Sequence, residues 1–161
     1  MDQGPTPTQI EPPRGTFSAH VDEKGRLKLP VAFQEYLRSF GDDRLYITSM
    51  DTRTGRVYPL SVWKENEKVL EELSSEDPVA ADSLFTIANK YGGEAKVDPQ
   101  GRVMLPTDLR RELSLENQEV RLDCSRKSIT VYSMAEYEAR LSSAKSDLAE
   151  KLIAAKRKGL K

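Results

Sequence analysis

Residues Ala19–Leu37 read AHVDEKGRLKLPVAFQEYL, and residues Ala95–Leu113 read AKVDPQGRVMLPTDLRREL. The two stretches align without a gap. Ala19, Val21, Asp22, Gly25, Arg26, Leu29, Pro30 and Leu37 match Ala95, Val97, Asp98, Gly101, Arg102, Leu105, Pro106 and Leu113. An internal repeat constrains the architecture before any single element is assigned. Two copies are too few for a solenoid, so a pseudo-two-fold unit is the natural product. The similarity continues more loosely from Arg56–Trp63 (RVYPLSVW) to Ile129–Tyr137 (ITVYSMAEY).

Each copy opens as a hairpin. Phe17, Ala19 and Val21 alternate with Ser18, His20 and Asp22, and after the turn Leu27 and Leu29 alternate with Arg26 and Lys28. This is strand, turn, strand with one apolar face. Asp22-Glu23-Lys24-Gly25 suits a type I turn closed by a left-handed glycine, and Asp98-Pro99-Gln100-Gly101 repeats it with proline at the favoured second place. Pro30 and Pro106 then end the strand and predict short helices over Val31–Ser39 and Thr107–Leu113, each with proline at its first position. A second strand pair follows in each copy: Leu45–Thr48 with Val57–Pro59, and Val120–Asp123 with Ile129–Tyr132. The rest is helical. Ser61 is placed to cap a helix over Val62–Leu73, and Asp77-Pro78 opens one that runs to Lys90 and stops at Gly92-Gly93. Ser133 and Glu136 have capping-box spacing ahead of one long C-terminal helix. Its apolar stripe Met134, Tyr137, Leu141, Ala144, Leu148, Leu152 and Ala155 serves either intrachain packing or contact between subunits.

Composition narrows the classes of function. The chain has 161 residues, 37% hydrophobic and 32% charged, with a net charge of −1. That is enough to bury a core without disulfides or metal, and no apolar run approaches a membrane span. Met1–Arg14, with Pro5, Pro7, Pro12 and Pro13, reads as a disordered tail rather than a targeting peptide. Cys124 is the only cysteine and His20 the only histidine. A partly buried thiol is expected for Cys124. No metal cluster, catalytic residue, cofactor or small-molecule substrate is expected, and the compartment expected is the cytoplasm. Near-neutral charge argues against nucleic acid only if the cations are evenly spread.

The doubled Val-Asp-x-x-Gly-Arg-x-x-Leu-Pro signature, the Arg14-Gly15 before its first copy, and Tyr58-Pro59-Leu60-Ser61-Val62-Trp63 together resemble the MraZ family. The resemblance spans Arg14 to about Ser143. It departs from the family pattern in the Pro-rich start, in Leu84–Tyr91, which lacks an aromatic-rich run, and in Glu119–Ser128, which lacks the usual hairpin glycine. It implies two SpoVT-AbrB-type modules, with Asp22 and Arg26 filling the Asp-x-x-x-Arg signature of the first and Asp98 and Arg102 that of the second. The implied fold is β-rich α+β, an intrachain pseudo-two-fold swapped-hairpin β-barrel with connecting and C-terminal helices. The implied partners are double-stranded DNA and further copies of the chain in a ring-like homo-oligomer. The implied role is nucleoid-associated repression of division and cell-wall genes through short G-rich direct repeats upstream of its own operon.

The residues support a DNA site on their own chemistry. The polar face of the first hairpin carries His20, Arg26 and Lys28, with Lys24 at the turn and Arg14 nearby in sequence. A two-stranded ribbon fits the major groove, and arginine can bond guanine O6 and N7 together. Lys24 and Lys28 suit phosphate. Asp22 would repel phosphate, so it and Asp98 are assigned with Gly25 and Gly101 to shaping the turns and orienting the arginines. The second hairpin offers Lys96 and Arg102, but also Glu94, Met104 and a neutral Gln100, so the first module is expected to read DNA and Arg102 to act more structurally. Arg110, Arg111 and Lys156-Arg157-Lys158 read as solvated helix faces. The expected segments are 1–14 tail, 15–62 first module, 63–92 helical linker, 93–137 second module and 138–161 C-terminal helix. The main rival reading is an antitoxin-like protein-binding module of the AbrB/MazE type, disfavoured by the doubled module and the basic end. The third is a scaffold with incidental DNA affinity.

Overall fold

A computed structural model of the chain describes residues 10–161. The expected tail therefore lies mostly outside the described residues. Residues 10–14 carry neither helix nor strand. The first hairpin is β1 (Phe17–Val21) and β2 (Arg26–Lys28), and the second is β5 (Gly93–Lys96) and β6 (Arg102–Met104). Short helices α1 (Val31–Arg38) and α4 (Thr107–Leu113) follow them. The second strand pairs are β3 (Arg44–Thr48) with β4 (Gly55–Pro59) and β7 (Gln118–Ser125) with β8 (Ser128–Ser133).

The hairpins are exchanged between modules. β1 pairs not with its own module's β3 but with β7, Phe17 opposite Leu122 and Val21 opposite Gln118. In return β5 pairs with β3. The returning strands meet at the pseudo-two-fold axis, where β2 lies antiparallel to β6 with Leu27 opposite Val103. β4 and β8 meet on the far side, Arg56 opposite Thr130. The ladder runs β5-β3-β4-β8-β7-β1-β2-β6, and the turn from β5 to β6 nearly closes it, Asp98 N–H donating to Arg102 O at 2.8 Å. This is an α+β fold whose centre is one swapped-hairpin barrel built from both halves of one chain.

The repeat supplies matched halves of the core. Leu27, Leu29, Phe33 and Leu37 are buried from the first copy, and Val103, Leu105, Leu109 and Leu113 from the second. Each such side chain is worth roughly 1.5–3 kcal/mol of burial. The match is not perfect. Phe17 meets Phe33 edge to face at 4.9 Å, where the second copy has Gly93 and Leu109. Pro30 and Pro106 stand just before their helices, at the cap position rather than the first helical position, because their ψ of 149° and 142° is still extended.

The helices between the modules build a second cluster. α2 (Leu60–Glu76) and α3 (Pro78–Lys90) bury Tyr58, Leu60, Val62, Trp63 and Ala88. Trp63 stacks on Tyr46 at 4.6 Å, and Tyr46 and Thr48 both donate their hydroxyls to Ala88 O. Asp77 caps α3 through Ala80 N–H. Ser61 does not cap α2: the helix starts at Leu60, two residues before the expected Val62, behind Pro59 and without a side-chain cap. The single long C-terminal helix expected from the stripe is in fact two. Ser133 caps α5 (Met134–Ala144) through Glu136 N–H, but Asp147 at φ 52° breaks the run before α6 (Leu148–Arg157). Leu141, Leu148 and Leu152 of the stripe remain 42–49% exposed, and Ile153 beside them 52%, so this part of the stripe does not serve packing on its own barrel.

The β7–β8 turn shows how the chain manages without a hairpin glycine. Arg126 and Lys127 both sit at positive φ, 52° and 64°, as a two-residue type I′ connection requires. A left-handed residue with a Cβ is strained by roughly 1–2 kcal/mol. Lys127→Gly is therefore expected to stabilise the fold by up to about 1 kcal/mol, the relieved strain less the extra freedom glycine gives the unfolded chain. Urea unfolding measures it, and a lowered midpoint would contradict the strain.

Candidate functional site

The β2–β6 ribbon is the feature the repeat was built to place. Core-facing Leu27 and Val103 leave Arg26, Lys28, Arg102 and Met104 on the outward face, with Arg26 opposite Met104 and Lys28 opposite Arg102. Both signature arginines thus share one face of one two-stranded ribbon. Lys28 Nζ donates to the carbonyl of Gln100 across the module boundary. The ribbon's ends are sewn by reciprocal bonds, Leu29 N–H to Gly101 O at 2.9 Å and Leu105 N–H to Gly25 O at 3.0 Å.

Each turn is organised by its aspartate. One oxygen of Asp22 accepts from the N–H groups of Lys24 and Arg26, both at 2.9 Å, and the other accepts from Arg26 Nε at 2.8 Å. Asp98 repeats this on Gln100 N–H, Arg102 N–H and Arg102 Nε, the last at 3.0 Å. The arginine side chains are equally exposed, 30% and 28%. Each guanidinium is held by Nε, and among the described residues its two terminal nitrogens have no partner. Such an arginine is oriented and still has donors to offer, which suits bidentate recognition. The Arg26 N–H first, then the Arg26 guanidinium and Lys24 N–H, hold the Asp22 carboxyl at about 2. The Arg102 N–H chiefly lowers Asp98 in the same way.

The other expected site residues scatter. Lys24 is exposed at the first turn. His20 is exposed on the outward side of β1, beside Asn117 Oδ1 at 3.2 Å and opposite Glu119 in the ladder. Arg14 is not brought to the ribbon. It lies beyond the far end of β1 from the turn, roughly 25 Å away at the usual rise per residue, in an exposed ion pair with Glu11. Acidic Glu23 shares the first turn, and Glu94 lies outward on β5. Cys124 is half-buried, and burial pushes its thiol up to about 11.

Arg110 corrects the sequence reading. It is no solvated helix face: its side chain is 12% exposed and lies against the first module's turn. Nη1 donates to Lys24 O at 2.8 Å, Nη2 to Thr107 Oγ1 at 3.1 Å, and Nε lies 3.6 Å from Glu116. A Cβ at Gly25 would overlap this guanidinium, so Gly25 is needed for close approach as well as for its φ of 88°. Gln34 holds the equivalent place in α1, its amide filling the space a Cβ at Gly101 would need. Nothing in the sequence marked this role, because the contact crosses between modules. Arg111 is exposed, as expected.

A doubled Asp-x-x-x-Arg hairpin exchanged within one barrel defines a two-module protein of the SpoVT-AbrB type. Residues 92–157 match the family model described as "MraZ protein, putative antitoxin-like". Relatives named transcriptional regulator MraZ extend the match. One from Acidobacterium capsulatum is 36% identical over 66% of this chain and 73% of its own length. Another from Anaeromyxobacter sp. is 32% identical over 80% and 88% respectively, and one from Desulforamulus reducens 31% over 86% and 96%. The chain belongs to the MraZ family. Among the described residues no helix is long and apolar enough to cross a membrane.

The turn aspartates set an acid limit on the fold. Both carboxyls are lowered on folding, so they contribute stability that is fully present above the ordinary value of 3.8 and is lost as pH falls below it, through about 2 in the case of Asp22. The Asp22→Asn, Asp98→Asn double variant should be less stable than the parent at neutral pH and should lose less stability across that window. Urea midpoints taken through the acid range measure both effects. Parallel curves for parent and variant would remove the aspartates as the cause.

Proposed function

We propose that this chain is a sequence-specific DNA-binding transcriptional regulator. On this reading it represses the division and cell-wall gene cluster, its own operon included, by binding short G-rich direct repeats. The observation that carries the proposal is the placement of Arg26 and Arg102, each fixed by its aspartate, on one ribbon with Lys28. A ribbon of this kind fits the major groove, and arginine's paired donors match guanine O6 and N7. The names of the relatives support the same class.

The first turn is the better reader. It adds exposed Lys24, where the second has Gln100, and β2 offers Lys28 where β6 has Met104. Residues 15–62 and 93–137 then act as the DNA-facing modules, and 63–92 and 138–161 serve connection and assembly. One ribbon with few free cations gives little affinity at physiological salt. A ring-like homo-oligomer in the cytoplasm, associated with the nucleoid, would engage several repeats at once and gain from effective concentration. The exposed Leu148, Leu152 and Ile153 of α6 favour self-association. An antitoxin-like role is the alternative, motivated by the family description. Antitoxins of this type typically carry one such module, whereas this chain carries two copies of the signature, which favours the regulator reading.

Arg26→Ala should cost about 1–3 kcal/mol per engaged site, mostly as lost specificity. Lys24→Ala and Lys28→Ala should weaken binding to every sequence and flatten its salt dependence. Arg102→Ala should cost less in DNA binding and more in stability or oligomer size. Anisotropy titrations on duplex from the chain's own upstream region, with thermal unfolding of each variant, give the comparison. Equal losses from Arg26→Ala and Arg102→Ala in intact oligomers would end the asymmetry. Light scattering should give a multiple of the monomer mass, alone and with that DNA. A monomer that still bound the multi-repeat duplex tightly would refute the ring.

A further inference from the structure

The first module's turn is held from outside its own module. Arg110 of α4 donates to Lys24 O, and its guanidinium occupies the space beneath Gly25. The loop after α4 continues the cradle, with Glu116 beside Arg110 Nε and Asn117 Oδ1 beside His20. At the second turn the equivalent place is taken by Gln34, which instead donates to Leu29 O. The two modules thus hold each other's turns, but with different groups: a cation under the first, a neutral amide under the second.

We infer that Arg110 is a positioning residue for DNA recognition, one by which the second module fixes the first module's turn for binding. This rests on the DNA-binding reading above. Lys24, Gly25 and Arg26 are consecutive, so a bond to Lys24 O restrains the backbone from which Arg26 projects. The bond is charge-assisted, the stronger kind of hydrogen bond, and it falls on the turn itself, whereas the Gln34 amide under the second turn donates to Leu29 O and not to that turn's carbonyl. The Arg110 guanidinium has its two terminal nitrogens committed to Lys24 O and Thr107 Oγ1, and its Nε buried 3.6 Å from Glu116 without a hydrogen bond among the described residues. It therefore acts through the turn and does not itself meet DNA. A free turn would lose orientational freedom at each binding event, whereas a clamped one has already lost it. The second module contributes rigidity where it lacks cations, which gives its weaker charge a purpose.

The test compares Arg110→Ala and Arg110→Gln with Arg111→Ala, which removes a neighbouring exposed cation from the same helix. The probes are duplex from the chain's own upstream region and a scrambled duplex of equal length and composition. Arg110→Ala should lower the upstream-to-scrambled affinity ratio about tenfold, roughly the worth of one charge-assisted bond, without changing the salt slope. Amide exchange at Lys24 and Gly25 should quicken. Arg110→Gln, which keeps the space beneath Gly25 filled as Gln34 fills that beneath Gly101 but removes the charged donor, should give a ratio between those of Arg110→Ala and the parent, and Arg111→Ala should leave it unchanged. Should Arg110→Ala fail to fold, Arg110→Gln carries the test through the same ratio and the same amides. Three results overturn the inference: an unchanged ratio in a folded Arg110 variant, equal losses on both duplexes, or the same drop from Arg111→Ala. If the parent protein itself does not discriminate between the duplexes, the DNA-binding reading fails first, and this inference with it.

Discussion

The antiparallel contact of Arg26–Lys28 with Arg102–Met104 is the constraint on which the rest of the structure hangs. It is short, and it is placed where the two halves meet. Because Leu27 and Val103 turn inward across it, the outward positions on either side must carry the polar residues of both signatures. A register slip of one residue would send the arginines to the core and the leucine to water. The reciprocal bonds of Leu29 to Gly101 and Leu105 to Gly25 lock the register at both ends. The glycines in these turns are thus required by their neighbours in the other module as much as by their own backbone.

Much of this architecture is legible in the sequence. The gapless repeat gives the pseudo-symmetry, the two-residue alternation gives the hairpins, and Asp22 and Asp98 announce the turns through their known affinity for nearby N–H groups. The elements that escape the sequence do so for physical reasons. Ser61 looks like a cap, but Leu60 has a buried place to fill and the helix starts there, two residues before Val62. The stripe from Met134 to Ala155 is continuous in sequence, yet it says nothing of the break at Asp147, where no residue is a strong helix breaker. Arg110 is one of two adjacent arginines on a polar helix. Only the crossing of α4 over the opposite turn separates it from Arg111.

The site divides in the same way. The pairings of Asp22 with Arg26 and Asp98 with Arg102 are local, four residues apart, and so were accessible from spacing alone. That both arginines share one ribbon was not accessible from either copy by itself, since it depends on the exchange of hairpins. Arg14 shows the converse error. It is near the hairpin in sequence, but an extended strand carries its neighbours away quickly, and β1 leads from Arg14 to the turn rather than back to it.

The exchange of hairpins also bears on how the chain acquires its shape. Phe17, at the start of β1, finds its partner across the β1–β7 ladder only at Leu122, roughly 100 residues later, and pairings of such sequence separation are slow to form because the loop must close first. Within the first module β1 has only its short hairpin contact with β2, Val21 opposite Leu27, and nothing to cover its other edge. Its hairpin and its β3 edge stay open until the second module has left the ribosome. Growth from the amino terminus thus cannot complete one half before the other, and truncation anywhere before β7 leaves β1 with an open, half-apolar edge of the kind that seeks a neighbouring chain. A barrel shared between two halves gains its compactness at the cost of a long vulnerable interval during synthesis.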